Sequence, residues 1–226
     1  MKYKYQLHAH TANCSGCSVM SPKDLIDALH DGGYQGMVIT NHFFGGNTCI
    51  PRSLPWKDFV YQYELDYNEC VEYAKKYDMD IIFGIEEHIG EGLEILPYGI
   101  TPEVLYNHEE LLKADLTTWK KVALGNDFLI IQAHPFRDRT YIPHPRVLPR
   151  SLIDGIEVFN HCNLDDANKK AKDFADKNSD LIFTSGADTH SVNTASFAGI
   201  ETCERIKNEK QLFDILVAGK YKILCD

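Results

Sequence analysis

His8 and His10 stand two residues apart at the end of an apolar run, and in an extended chain such residues point to the same face. Both imidazoles can therefore reach one metal ion. Further candidate ligands follow later apolar runs: His42 in ITNH, Glu86 in IIFGIEEH, His134 in LIIQAHPFR, and the second i, i+2 pair, Asp188 and His190, in LIFTSGADTH. Imidazole nitrogens mixed with carboxylate oxygens suit Zn, Mn or Fe better than Ca or Mg. The set exceeds one tetrahedral shell, so the spacing predicts at least two ions, with Glu86 as the natural bridge. Arg137, Arg139, Arg146 and Arg150 crowd the segment just after His134, where a guanidinium fork matches phosphate oxygens. Of these, Arg137 and Arg139 are expected at the substrate, and Tyr98 and Tyr141 are further candidates for contact. Glu157, in GIEVFN, is expected to orient a ligand rather than to be one.

The elements that must position these groups alternate. Strand-like runs are Tyr3–His8, Gly36–Thr40, Asp80–Ile85, Leu93–Leu96, Phe128–Gln132, Gly155–Phe159 and Leu181–Thr184. Helical patterns occupy Ser21–Gly32, Trp56–Tyr77, Thr101–Leu124, Leu164–Lys177 and Asn208–Ala218. Ser21-Pro22 is a helix start, and Gly32-Gly33 closes that helix. Such alternation predicts βα units, a mainly parallel sheet and a single barrel-like domain over residues 1–226. Every candidate ligand then lies at the C-terminal end of a strand, where α/β folds place their sites. The stretch GGNTCIPRSLP over Gly45–Pro55 reads as an insertion loop.

Composition agrees with a folded protein and narrows its partners. At 44% hydrophobic and 25% charged residues the chain is an ordinary globular one. A formal charge of −10 argues against an extended nucleic-acid duplex or an anionic membrane as partner, and leaves a small phosphorylated substrate open. Neither a membrane span nor the apolar stretch of a signal peptide is evident, and the seven scattered cysteines fit a reducing compartment, so the expected location is cytoplasmic. Cys14 and Cys17 form a lone C-x-x-C with no assigned role. Nothing in the sequence sets the oligomeric state.

HAHT with Ser15 nearby, ITNH, GIEEH, AHPF and SGADTH together resemble, in order and over nearly the whole chain, the motifs of the polymerase and histidinol phosphatase (PHP) domain family. The resemblance implies a distorted seven-stranded (β/α) barrel carrying two or three divalent transition-metal ions and hydrolysing phosphate esters. It supports His8, His10, His42, Glu86, His134, Asp188 and His190 as ligands. The expected reaction is attack by a metal-bound hydroxide on a small phosphomonoester such as histidinol phosphate, or on a nucleotide or short oligonucleotide, with Asp188 or His190 assisting proton transfer. An amidohydrolase-type barrel and a catalytically silent metal-binding scaffold are the rival readings. The sequence departs from the family where an Asp or His often follows the H-x-H, and where Asn41 stands in the usual T-D-H. For the further histidine that many trinuclear members carry, His88, Glu94 and His108 are candidates; His88 is also placed at the substrate.

Overall fold

The computed structural model describes residues 2–195 and 197–225. Each expected strand has a counterpart: β1 (Tyr3–Ala9), β2 (Gly36–Ile39), β3 (Asp80–Phe83), β5 (Glu94–Tyr98), β6 (Leu129–Gln132), β7 (Gly155–Asn160) and β8 (Ile182–Gly186). Three strands were not anticipated: β4 (Glu87–His88), β9 (Ala198–Thr202) and β10 (Tyr221–Cys225). The helices are α1 (Pro22–Asp31), α2 (Trp56–Ala74), α3 (Pro102–Asn107), α4 (Leu116–Asn126), α5 (Asp165–Ala175) and α6 (Glu209–Ala218).

The expected closed seven-stranded barrel is not what forms. Among the described residues the strands make two open five-stranded mixed sheets, ordered β10-β9-β1-β2-β3 and β4-β5-β6-β7-β8. The reason lies in the connections. Between β4 and β5 the chain turns within a few residues through Gly90, Glu91 and Gly92, all at positive φ, and so short a link permits only antiparallel pairing. β5 then runs antiparallel to β6, which breaks the βα alternation. At the other end β9 and β10 add an antiparallel pair beside β1. The parallel βα units survive in two blocks, β1-β2-β3 and β6-β7-β8.

Two isolated parallel bridges lie just beyond these strands, and both involve candidate ligands or their neighbours. Ala9 pairs with Thr189, linking the end of β1 in one sheet to the segment after β8 in the other. His42 pairs with Glu86 beyond β2 and β3. At the first, Thr189 N–H donates to His8 O (3.3 Å) and His10 N–H to Thr189 O (3.2 Å). The β1–β2 register slips between Gln6 and Ala9, where the Thr40 hydroxyl accepts from Ala9 N–H at 3.0 Å. Such an irregularity re-aims side chains at a strand end.

Local chemistry explains the helix ends. The Ser21 hydroxyl caps α1 by accepting from Asp24 N–H at 3.1 Å, with Pro22 at the first turn. The single helix expected over Thr101–Leu124 divides, because Lys113 adopts φ +63° and Asp115 caps a new start by accepting from Thr118 N–H at 2.8 Å. Behind the site, α2 presents an aromatic wedge. Phe43, the residue after His42, meets Trp56, Phe59 and Tyr63 edge-on with ring centroids 5.2–5.8 Å apart. Tyr63 donates its hydroxyl proton to the main chain of the site, 2.7 Å from Asn41 O and 3.2 Å from Gly84 O. Burial of these rings thus fixes the loop that carries His42.

Phe59 is fully buried within this wedge. Phe59→Ala should cost about 3–5 kcal/mol, the usual range for truncating a buried aromatic ring. Urea unfolding should show a lowered midpoint with an unchanged m-value; a midpoint close to wild type would mean that the wedge carries little of the stability.

Candidate metal centre

His8, His10, His42, Glu86, His134, Asp188 and His190 come together where the parallel blocks end. His8 and His10 are wholly buried, Glu86, Asp188 and His134 nearly so, and His190 is half-buried. One carboxylate stands at the centre. Glu86 Oε1 lies 3.2 Å from His8 Nε2 and 3.1 Å from His134 Nε2, while Oε2 lies 3.0 Å from His42 Nδ1 and 3.4 Å from His10 Nε2. Asp188 Oδ1 lies 3.1 Å from His10 Nε2 and 3.5 Å from His8 Nε2.

The hydrogen bonds fix which ring nitrogen each histidine offers. Ser15 donates its hydroxyl proton to Asn41 Oδ1 (2.9 Å) and accepts from His42 N–H (3.0 Å). Its contact with His10 Nδ1 at 3.1 Å is therefore one that Ser15 accepts, so Nδ1 carries the proton and Nε2 is bare. His8 Nδ1 meets Glu157 Oε1 at 3.1 Å, and His190 Nδ1 meets Asp188 O at 2.7 Å; both acceptors require Nδ1–H and leave Nε2 as the lone pair. An imidazole whose far nitrogen is tied to a carboxylate, carbonyl or hydroxyl is the arrangement metal-binding histidines adopt.

Four of these atoms have the chemistry that a bound cation needs. His8 Nε2, His10 Nε2, His42 Nδ1 and Glu86 Oε2 are buried and find no hydrogen-bond partner among the described residues. Buried polar atoms left so are costly unless something satisfies them, and divalent cations held between them would do so. Two groupings have ligand atoms within 4.8 Å of one another around Glu86: His8, His10, Glu86 and Asp188, and then His42, Glu86 and Glu94. His10, His42 and His190 make a third.

The charges point the same way. Burial disfavours charge on Glu86 and Asp188, but His8 and His42 beside the first, and Arg137 and His8 beside the second, hold both carboxyls well below the usual range. Burial also opposes charge on His42, yet Glu86 and its other neighbours lift it to about 11. His10, enclosed and flanked by His190 and His42, falls to about 3. Two ionised carboxylates enclosed among imidazoles leave negative charge that a divalent cation would neutralise.

Backbone conformation is part of the design. His134 and Asp188 occupy positive φ, +26° and +53°, a region that side chains other than glycine seldom adopt. At Gly186 a Cβ would lie 2.3 Å from His8 Cβ and 2.4 Å from Glu157 Oε1, so only glycine lets β8 approach β1 here.

The remaining predicted residues divide. A cavity of about 650 Å³ opens over the cluster, lined by His42, His88, Glu94, Arg137, Arg139, Tyr141, Asp188 and His190, among others. Arg137 is in the cavity wall but is not a free anion receptor: it is buried, bonds Asp188 and Asn160 through Nη2, and donates from Nε to Asn163 at 2.9 Å. Arg139 is exposed at the mouth, donating to Asp138 O and Cys162 O. Arg146 and Arg150 pair with Glu91 and Asp180 and do not line the cavity. His88 accepts from Gly92 N–H at 3.0 Å on its Nε2. Glu94 lies 3.7 Å from His42 and 3.4 Å from His134, whereas His108 bonds Glu110 and Asn126 in the α3–α4 connection. Tyr98 is enclosed and donates to Leu7 O at 2.9 Å, out of reach of a cavity ligand.

Two contributors escaped the sequence reading. Asp66, on α2, accepts from Thr11, Asn13 and Asn41 at 2.7–2.8 Å and supports the strand-end network from behind. Cys17 lies against His190 on the cavity wall. No motif pairs either with a histidine; the signal would have been the apolar face of α2, on which an acidic residue at position 66 is out of place.

Because Arg137 neutralises Asp188, Arg137→Ala should weaken metal binding by about 10- to 100-fold, as loss of a group that orients a ligand does. Competition with a chromogenic chelator would measure it, with Arg139→Ala unchanged as the control. Equal affinities in both variants would show that the Asp188 contact does not matter for metal.

Comparison with known structures places the fold. A two-domain protein containing a predicted PHP-like metal-dependent phosphoesterase, from Bacteroides vulgatus, matches with a TM-score of 0.71 and 14% identity, over 100% of this chain and 65% of that one. The chain thus spans about two thirds of that protein's length. PsfC from Pseudomonas syringae matches with a TM-score of 0.69 and 13% identity over 100% of this chain and 92% of its own. An amidohydrolase from Chromobacterium violaceum, with bound sulfate and no metal, matches with a TM-score of 0.57 and 15% identity over 83% and 87%. At such identities these likenesses concern fold. No curated protein sequence matches the chain. The PHP domain model, however, matches residues 6–156, more than half of the sequence and the stretch that carries His8 through His134, and the chain therefore belongs to the PHP domain family.

Proposed function

We propose that this chain is a metal-dependent phosphoesterase that hydrolyses a small phosphate ester at the His/Glu/Asp cluster. The observation that carries the reading is the convergence of unpartnered ligand atoms of His8, His10, His42 and Glu86, with His42, Asp188 and His190 of the cluster lining an open cavity. In this reading His8, His10, Glu86 and Asp188 hold one transition-metal ion, and Glu86, His134 and Glu94 serve a neighbouring one, with His42 and His190 on the outer side of the cluster. The chemistry such ions supply when bound is Lewis-acid polarisation of the ester and activation of water at neutral pH.

The chain's own residues do the rest. Glu157 and Ser15 hold the rings of His8 and His10 so that Nε2 faces inward. Arg137 keeps Asp188 ionised and oriented. Asp188 and His190 enter as ligands: His190 has one ring nitrogen free of the backbone, and that atom cannot both ligate and pass a proton. Arg139, exposed at the mouth and bonded only to backbone carbonyls among the described residues, is the guanidinium accessible to the anionic end of a substrate, and His88 and Tyr141 flank the same opening. Sulfate bound to the Chromobacterium violaceum relative of this fold is an anion of phosphate's shape and charge class, in keeping with the reading.

Chelator-stripped protein should release no nitrophenol from p-nitrophenyl phosphate, and reloading with Zn, Mn or Fe should restore release. His134→Ala and Asp188→Ala should remain at background, and Arg139→Ala should raise KM roughly 10-fold with kcat nearly intact, as for loss of one charge-assisted contact. Absence of turnover across all metals and a panel of phosphate esters would overturn the proposal in favour of a metal-binding scaffold.

A further inference from the structure

The segment Cys14-Ser15-Gly16-Cys17 turns its two thiols in opposite directions. Cys14 is buried in the aromatic core with Phe43 and Tyr63. Cys17 is exposed on the cavity wall, its Sγ 2.9 Å from His190 Nε2. The loop is tied down on both sides of it: Gly16 N–H donates to Asn47 O, Ser18 N–H to Ser15 O, the Ser18 hydroxyl to His10 O, and Val19 N–H to His190 O. Cys17 is therefore placed by the same backbone that places His10 and His190.

A thiol beside one histidine is common, but the surroundings go further. His190 has its Nδ1 proton committed to Asp188 O, so the atom facing Cys17 is the lone-pair nitrogen. His10, His42 and His190 bring their ligand atoms within 4.8 Å of one another. His10 is wholly buried and His42 nearly so, and His10 Nε2 and His42 Nδ1 find no hydrogen-bond partner among the described residues. The carboxylates Glu86 and Asp188 lie on the inner side of these rings, and the thiol lies on the outer side. A cation at the outer side would meet nitrogen and sulfur, a soft donor set that suits Zn, Fe or Co and disfavours Mg and Ca.

We propose that Cys17 is a thiolate ligand, together with His42 and His190, of a transition-metal ion at the outer end of the cluster, next to the buried group formed by His8, His10, Glu86 and Asp188. On binding, the thiol gives its proton to solvent and the sulfur takes the metal in its place. The sulfur sets the metal preference of this outer position, apart from that of the inner, oxygen-containing one. The proposal rests on the cluster being a metal centre, but it can fail while that reading stands.

The test is titration of the full-length, metal-stripped chain with Co(II), for wild type, Cys17→Ser and Cys162→Ser. Visible ligand-field bands report cobalt bound anywhere in the cluster, and the near-ultraviolet sulfur-to-cobalt charge-transfer band reports thiolate ligation. Cys162, whose thiol donates to Asp188 O at 3.3 Å, is the neighbouring sulfur and the control. The expected result is a charge-transfer band in wild type and Cys162→Ser, its loss in Cys17→Ser, and visible bands in all of them. Tightly held zinc should fall by one equivalent per chain in Cys17→Ser, with far-ultraviolet circular dichroism unchanged because the residue is exposed. Visible bands without charge transfer in wild type would overturn the thiolate ligand and leave the metal centre standing. A charge-transfer band that survives in Cys17→Ser would overturn it in favour of another sulfur. No cobalt binding at all would overturn both.

Discussion

The structure depends on the enclosure of Glu86 and Asp188 among imidazoles at the ends of the strands. A carboxylate taken out of water costs several kcal/mol unless countercharges or donors replace its hydration. Here the replacement comes from distant parts of the chain: His8 and His10 at the end of β1, His42 after β2, His134 after β6, and Arg137 from the loop beyond. None of these can relax without stranding the others. That explains why the surrounding backbone tolerates features that would otherwise be avoided, including positive φ at His134 and Asp188.

Around this centre the supporting groups form an outer layer with a consistent logic. Glu157, Ser15 and the Asp188 carbonyl each take one ring nitrogen of an imidazole, so that the other is the one left to a metal. The aromatic wedge from α2 and the Tyr63 hydroxyl hold the main chain of Asn41 and Gly84, and with it the loop carrying His42. Apolar burial and polar orientation thus act on the same few residues from opposite sides.

Much of this was legible in the sequence because two periodicities are local. Alternation along a strand puts His8 and His10 on one face, and apolar runs ending in His, Glu or Asp mark the strand ends. What was not legible depends on encounters between distant segments. The tight Gly90–Gly92 turn makes β4 and β5 antiparallel, and β9 and β10 close against β1, so the strands stay in two sheets rather than a ring. The His134–Arg137 spacing suggests a guanidinium leaning over the cavity, yet whether it meets solvent or Asp188 depends on where β8 ends. Asp66 and Cys17 reach the site from a helix and a loop, and no spacing rule pairs them with strand-end histidines.

The contact between Asn41 and Asp66 has an evolutionary corollary. The Asn41 amide donates to Asp66 Oδ2 at 2.7 Å inside a buried network shared with Thr11. An aspartate in place of Asn41, as in the T-D-H that the family motif usually carries, would set two carboxylates against each other there, and one would have to hold a proton or move away. The two positions therefore cannot drift independently. A negative charge gained at position 41 calls for loss, protonation or displacement of the one at position 66.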